Sequence, residues 1–313
     1  MTTRRQHYVA QMYLRAWSTP KGEARQLWAL RRSSAKPFLT DTKNVAVEKD
    51  FYRLTKSLPD DVKWVRSLGF TEKGPAGLRK LNEGWINLFE IFWAMQDLRD
   101  KFSESVELIA ELDRQLIARQ EDHFAYMETS AVENMAALQR GDVSFFLDEQ
   151  QAVAFSFFLM TQYFRTKKMQ DGMRKQFTSD ADMARFDRTW PILRDILATN
   201  TAFGVFANRA SAPLQVVTAP AGVRFITSDQ PVINTYAAFT AETTPVEALE
   251  LYFPVSPTHA AIISDHAAYK EINGKELNVM RVHYLNQAME RVAHDQLFAS
   301  TERELQILGN AFK

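Results

Sequence analysis

Residues 6–17 read QHYVAQMYLRAW, and within them His7, Gln11 and Arg15 recur at every fourth position. On a helix that spacing places all three on one face. The residue types suit chemistry on an anion. An imidazole titrates near neutral pH and serves as general acid or base. A guanidinium holds a phosphate or carboxylate through paired N–H contacts, and an amide positions the substrate. Two other polar groups interrupt an apolar run, Gln162 and Arg165 in AVAFSFFLMTQYFRT, and Asp229 follows the strand-like VRFIT. A buried arginine needs a carboxylate or an anionic ligand, since an unpaired charge costs several kcal/mol, on the order of 3–5. Asp229 is the expected partner of Arg165.

Other chemistry is thinly represented. The chain has no phosphate-binding glycine loop, no dinucleotide fingerprint, no nucleophile elbow and no zinc-protease helix. No His follows a Glu at the spacing of a di-iron helix. His283 and His294 fall on one expected helix but stand about 16 Å apart by helical rise, too far for one metal. His123 reads as a surface residue. Asp41-Thr42-Lys43, with Glu23 upstream, is a short D-x-K pattern of the kind that metal-dependent nucleases use. It reads equally as a charged loop, and a divalent metal is left open.

Several kinds of element must position these groups. Residues 7–17 are expected as a short helix, broken by STPKGE. RQLWALRR alternates as a strand, with shorter strands expected near 45–47 and 51–54. From about residue 75 the apolar period becomes helical and stays so to about 209, with Ser103 and Ser105 as helix starts and a break at Gly141-Asp142. After SAP, the runs PLQVVTAP, GVRFITSD, ALELYFPV and HAAIIS are strand-like, and 276–298 reads as one amphipathic helix. The strands at each end are too few to stand alone. The expected fold is therefore α+β, with one mixed or antiparallel sheet drawn from both ends of the chain and a helical block, 75–209, inserted between them. A single domain, 1–313, is preferred; two domains, 1–210 and 211–313, is the alternative.

Composition narrows the function classes. Basic and acidic residues balance at 38 each, so no overall field draws the chain to nucleic acid or an anionic membrane. Residues 81–150 lean acidic, which reads as solvated surface or as a protein-docking face. The chain has no cysteine, which excludes disulfides, thiolate catalysis and Cys-type metal sites. It opens without a signal-like apolar segment and has no apolar run near the ~20 residues of a spanning helix. A soluble, cytoplasmic protein is expected.

The opening stretch also resembles the start of a large, uncharacterised microbial family whose members typically begin His-Tyr-Val-Pro-Gln-x-Tyr-Leu-Arg-x-Phe. KNVAVEKDFY, QYFRT, FITSDQPVI, FPVSP and HYLN are similar to further motifs of that family, so the resemblance spans most of the chain. Ala10 departs from it, standing where the family usually has proline. The family is a domain of unknown function, so the resemblance supplies a map and no activity.

Taken together, these motifs lead to an expected hydrolase acting on a nucleotide, nucleic acid or other phosphate-bearing substrate in a polar cleft. His7 is its acid/base. Asp229 orients His7 or binds a metal. Arg15 and Arg165 hold the anion, and Gln11, Asn44 and Gln162 position it. The alternative is a non-catalytic module that senses an anionic ligand or docks a protein through the acidic helices. The same residues also read as braces: His7 and Gln11 on backbone groups, Asp229 capping a turn, Arg165–Asp229 as a structural pair, Asn44 and Asn286 as backbone-tying amides.

Overall fold

The computed structural model describes residues 5–34, 36–52, 54–55, 57–102, 104–240, 244, 246, 248–269, 271–308 and 312. The chain opens with strand β1 (Arg5–His7), helix α1 (Gln11–Leu14) and a 3₁₀ turn (Arg15–Trp17). Strands β2 (Thr19–Lys21), β3 (Ala24–Arg31), β4 (Phe38–Asp41) and β5 (Val47–Lys49) follow. The helical block holds α2 (Pro59–Ser67), α3 (Ala76–Lys101), α4 (Val106–Gln139), α5 (Glu149–Phe164), α6 (Lys167–Arg174) and α7 (Asp180–Ala207). The C-terminal part holds β6 (Leu214–Thr218), β7 (Thr227–Ser228), β8 (Ile233–Asn234), α8 (Thr235–Ala238), β9 (Glu250–Pro254) and β10 (His259–Ser264). It closes with α9 (Val279–Val292), β11 (Gln296–Ala299) and α10 (Glu302–Leu308).

The fold is α+β, with antiparallel sheets and the helical block between the N- and C-terminal strands. The strands form three sheets among the described residues, where one was expected. β1 pairs with β5. β6-β10-β9-β8 is a sheet of C-terminal strands alone. The third sheet, β2-β3-β11-β7 with β4 on β3, does join the two ends of the chain. Its closing strand is β11, which pairs Leu297 with Leu30 on one side and with Ser228 on the other. A boundary near residue 210 would divide this sheet.

Tyr13 links the last two sheets. Its hydroxyl meets Thr227 Oγ1 at 2.5 Å and donates to the Pro254 carbonyl at 2.7 Å, while its ring stacks on Phe253. In the helical block, α5 lies along α7, and Phe155, Phe158, Ile192 and Ile196 between them are fully buried. Polar caps start the helices: Asp148 accepts from Gln151 N–H at α5 and Ser179 from Asp182 N–H at α7. Gly141, at φ +80, ends α4 in the left-handed turn that glycine adopts without strain.

Three local expectations need correction. The helix expected over 7–17 begins only at Gln11, because His7 belongs to β1 and Ala10 is extended at φ −56, ψ 129. The strand expected near 51–54 is a turn at Phe51 and Tyr52, and residue 53 lies outside the described residues. The helix expected over 276–298 stops at Val292, and its last residues are β11. Of the two serines read as helix starts, Ser105 flanks α4 and Ser103 lies outside the described residues.

Candidate functional site

Because β1 ends at His7, the stripe His7–Gln11–Arg15 does not exist as a helix face. The three side chains part. Arg15 is exposed. Gln11 Nε2 donates to the Thr42 carbonyl at 3.0 Å. His7 turns toward the helical block. Its ring donates to the Lys43 carbonyl, and Nε2 is buried without a partner. Burial lowers the His7 pKa, so the imidazole is neutral at pH 7 and Nε2 carries the lone pair.

Arg165 follows α5 and is 1% exposed, as its apolar neighbourhood implied. Its Nε donates to the Tyr8 carbonyl at 3.1 Å. Its carboxylate partner is Glu128 of α4, with Nη2 2.9 Å from Oε1, an ion pair too poorly angled for a hydrogen bond. The expected Arg165–Asp229 pair is not made. Phe124, one turn before Glu128, lies beneath Arg165 and also beneath Arg194 of α7, at 5.2 and 5.1 Å from the ring centre. Arg194 is buried and held by its neighbour Asp195 through bonds of 3.0 and 3.3 Å. Tyr52 stacks near Phe124 and donates its hydroxyl to the His7 carbonyl at 3.1 Å. The N-terminal segment is thus tied to α4, α5 and α7 by an aromatic layer carrying two compensated ion pairs.

Asp229 lies apart from this layer and is fully buried. Its carboxylate accepts three successive backbone N–H groups, from His294 and Asp295 at 2.8 Å and from Gln296 at 3.0 Å. These N–H groups follow the end of α9 and lead into β11. Burial pushes its pKa up to about 6 against the three donors. The expected role for Asp229, orienting His7 or holding a metal, has no geometry behind it: the hydrogen bonds of its carboxylate go to backbone N–H groups. It works as a cap, on amides some 65 residues away in sequence.

The remaining predicted residues are placed with equal clarity. Gln162 is buried, and its Oε1 accepts from Ala10 N–H at 3.3 Å. A proline at position 10 would have no such N–H. Asn44 is exposed and accepts from Arg5 Nη2 at 3.2 Å. Asn286 ties backbone, accepting from Ile226 N–H and donating to the Arg224 carbonyl. Asp41 caps its 3₁₀ turn by accepting from Lys43 N–H, and Glu23 is exposed, so the D-x-K segment is a loop brace. Among the described residues no group of three or more His, Asp or Glu could hold a metal ion.

Sequence reasoning missed Glu128, Tyr52, Arg194, Asp195 and His123. For Arg194-Asp195 the signal was present, a charged pair inside the apolar run WPILRDIL, of the same kind that flagged Arg165. Glu128 had no signal, since it lay in a stretch read as acidic surface.

His123 borders an open chamber of about 600 Å³ between α3, α4, α5 and α7. Trp85, Phe157 and Phe206 line it, and Phe158 and Met127 form buried wall. His123 packs edge-on to Trp85 and lies within electrostatic reach of Asp195, Arg194 and Arg165. Its Nε2 is buried without a partner. Burial lowers its pKa, with Asp195 opposing. A second concavity of about 440 Å³ surrounds Glu250, whose Oε1 accepts from Thr235 and Tyr269 and lies 3.5 Å from Arg281.

What these features define is an α+β protein whose two ends share a sheet and whose inserted helices carry an open chamber beside a buried charge layer. The chain belongs to the family described as Protein of unknown function (DUF4238), whose model matches residues 5–303. No curated protein and no solved structure matches it. No helix among the described residues is long and apolar enough to cross a membrane.

Proposed function

We propose that this chain is a small-molecule-binding module whose ligand occupies the chamber in the helical block. The chamber itself carries the reading. Its volume falls within the roughly 300–1,000 Å³ of ligand sites, and it has an apolar lining with few polar groups. Through His123 it adjoins the Arg165–Glu128 and Arg194–Asp195 layer, which is bonded to the N-terminal segment. Leu98, Phe102 and Val106, exposed around the α3–α4 turn, favour a protein partner there.

The test is the fluorescence of the neutral apolar dye N-phenyl-1-naphthylamine. The expected result is saturable binding, with a Kd on the order of micromolar and a rise in Tm on saturation. Ala154→Trp, which fills the chamber from an exposed position on α5, should abolish both while leaving the fold intact by circular dichroism. Dye binding unchanged in that variant would place the site elsewhere.

One observation favours a second reading, a hydrolase acting on a nucleotide or another phosphate-bearing substrate. His7 has a neutral ring oriented by a backbone carbonyl and a free Nε2, as a general base requires. Asp229 has no part in it, and Arg165 would meet an anion only by releasing Glu128. Turnover of bis(p-nitrophenyl) phosphate, with and without Mg²⁺, should fall at least a hundredfold in His7→Ala at unchanged Tm. No turnover in the parent chain would remove this reading.

A further inference from the structure

We infer that the concavity around Glu250 binds a free α-amino acid with an apolar side chain, its carboxylate on Arg281 and its ammonium on Glu250. This site is built from the C-terminal part of the chain and does not rest on the reading of the helical chamber.

Glu250 begins β9, and Arg281 lies in the first turn of α9. Thr235 and Tyr269 donate their hydroxyls to Glu250 Oε1 at 2.6 and 2.9 Å and so fix a carboxylate that is nearly buried. Glu250 Oε2 accepts no hydrogen bond among the described residues, and it is not sealed from solvent. Arg281 Nη2 lies 3.5 Å from Oε1, an ion pair without a hydrogen bond. The guanidinium is held against the rings of Tyr269 and Tyr284, 5.2 and 4.7 Å from their centres. Glu250, Tyr269, Arg281 and Tyr284 all line the concavity, so both charged ends lie within it. No guanidinium nitrogen of Arg281 donates a hydrogen bond among the described residues, and its side chain is 35% exposed.

A cation and an anion side by side select the ligand. A simple anion drawn to Arg281 would meet Glu250 beside it and Glu276, exposed on the same lining. A simple cation drawn to Glu250 would meet Arg281, which already covers the faces of Tyr269 and Tyr284. In both cases repulsion offsets much of the attraction, because the two protein charges lie at similar distances from the ligand. A zwitterion gains from both. Its carboxylate accepts from the guanidinium fork, and its ammonium, a donor only, meets Oε2. An α-amino acid carries these two groups on one carbon, which matches the close spacing of the protein pair. Half-buried Ile272 and Leu277 and the partly exposed ring of Tyr236 complete the lining and suit an apolar side chain. The volume of about 440 Å³ falls within the roughly 300–1,000 Å³ of ligand sites.

The experiment is isothermal titration calorimetry with L-phenylalanine and with 3-phenylpropionate, 2-phenylethylamine and glycine, which lack in turn its ammonium, its carboxylate and its side chain. L-Phenylalanine should bind the parent chain saturably, with a Kd on the order of 100 µM, and each of the other three at least about tenfold more weakly. Arg281→Gln should weaken L-phenylalanine about tenfold or more. Arg303→Gln, at an exposed arginine of α10 outside the concavity, should leave its binding unchanged. Phenylpropionate or phenylethylamine binding as tightly as L-phenylalanine would overturn the zwitterion assignment, and glycine doing so would overturn the apolar side chain. No binding of L-phenylalanine, or binding unaltered in Arg281→Gln, would overturn the site itself. The comparison of the four compounds uses the parent chain alone, so it decides even should Arg281→Gln fail to fold. None of these outcomes bears on dye binding in the helical chamber.

Discussion

Asp229 and His123 both carry buried polar atoms, and the molecule treats them in opposite ways. Asp229 has three donors directed at it, all backbone, at 2.8–3.0 Å. His123 Nε2 has none, although its residue is on the chamber lining. Both would be flagged by the same rule, that buried polarity is costly and therefore purposeful. The difference is where the compensation comes from. At Asp229 the fold supplies it, so the group stabilises the fold and has nothing left for a ligand. At His123 Nε2 the fold supplies none. Counting partners, rather than noting burial, separates brace from site.

The comparison can be broken most sharply by removing each group. Asp229→Ala strands three N–H donors at the α9–β11 turn, one of them buried and two part-buried, and should cost about 3–5 kcal/mol in urea unfolding. His123→Leu removes an atom that has no partner and should change stability by less than about 1 kcal/mol. Equal losses would mean that the two positions do the same work.

A smaller effect, about 3 kcal/mol at most, should appear in the pH profile. The Asp229 carboxyl titrates near 6 in the folded chain, above its ordinary value of 3.8. The folded state then holds this proton more tightly than the unfolded one. The contribution is fully present below about pH 4 and is lost as pH rises through about 6. His7 and His123 act in the other sense. Their folded pKa values lie below 6.5, so their contribution is present above about 6.5 and is lost as pH falls. Asp229→Asn should remove the slope between pH 4 and 6 and leave the histidine slope in place, as measured by urea unfolding across that range. An unchanged slope would show that Asp229 is ionised throughout.

The smallest effect concerns the brace side alone. Ala46 sits at φ +47, held there by Tyr8 N–H on its carbonyl and by its own N–H on Gln296 Oε1. Ala46→Gly relieves the left-handed conformation and should raise Tm slightly, by up to about 1 kcal/mol of stability. A loss would show that the buried methyl group packs more than it strains.

Much of the architecture was legible because it rests on local periodicity. The helical block, the strands β3, β6, β9 and β10, and the break at Gly141 all carry their signals within a few residues. β11 was not legible. Its four residues follow α9 without a proline or glycine, and the turn there is held by side chains remote in sequence, Asp229 on the amides and Arg32 on the Ala293 and His294 carbonyls. The His7–Gln11–Arg15 stripe failed for a related reason. Its spacing fits a helix, but Ala10 is extended at φ −56, ψ 129 and His7 lies in β1, so the helix begins only at Gln11. Of the candidate site, His7 and Arg165 were found from their surroundings in sequence, whereas Glu128 and His123 looked like acidic, solvated helix.

The sequence by itself determined the helical block and the longer strands, that Arg165 would be buried, and that no cysteine chemistry is available. Those follow from residue type and short-range pattern, since side-chain volume, period and capping act over one or two turns. Tertiary structure alone decided who partners whom. Arg165 lies against a carboxylate 37 positions before it, and Asp229 is bonded to amides about 65 positions after it. It also decided that His123 Nε2 would remain without a partner, because hydrogen bonds act over about 3 Å in space and carry no memory of distance along the chain.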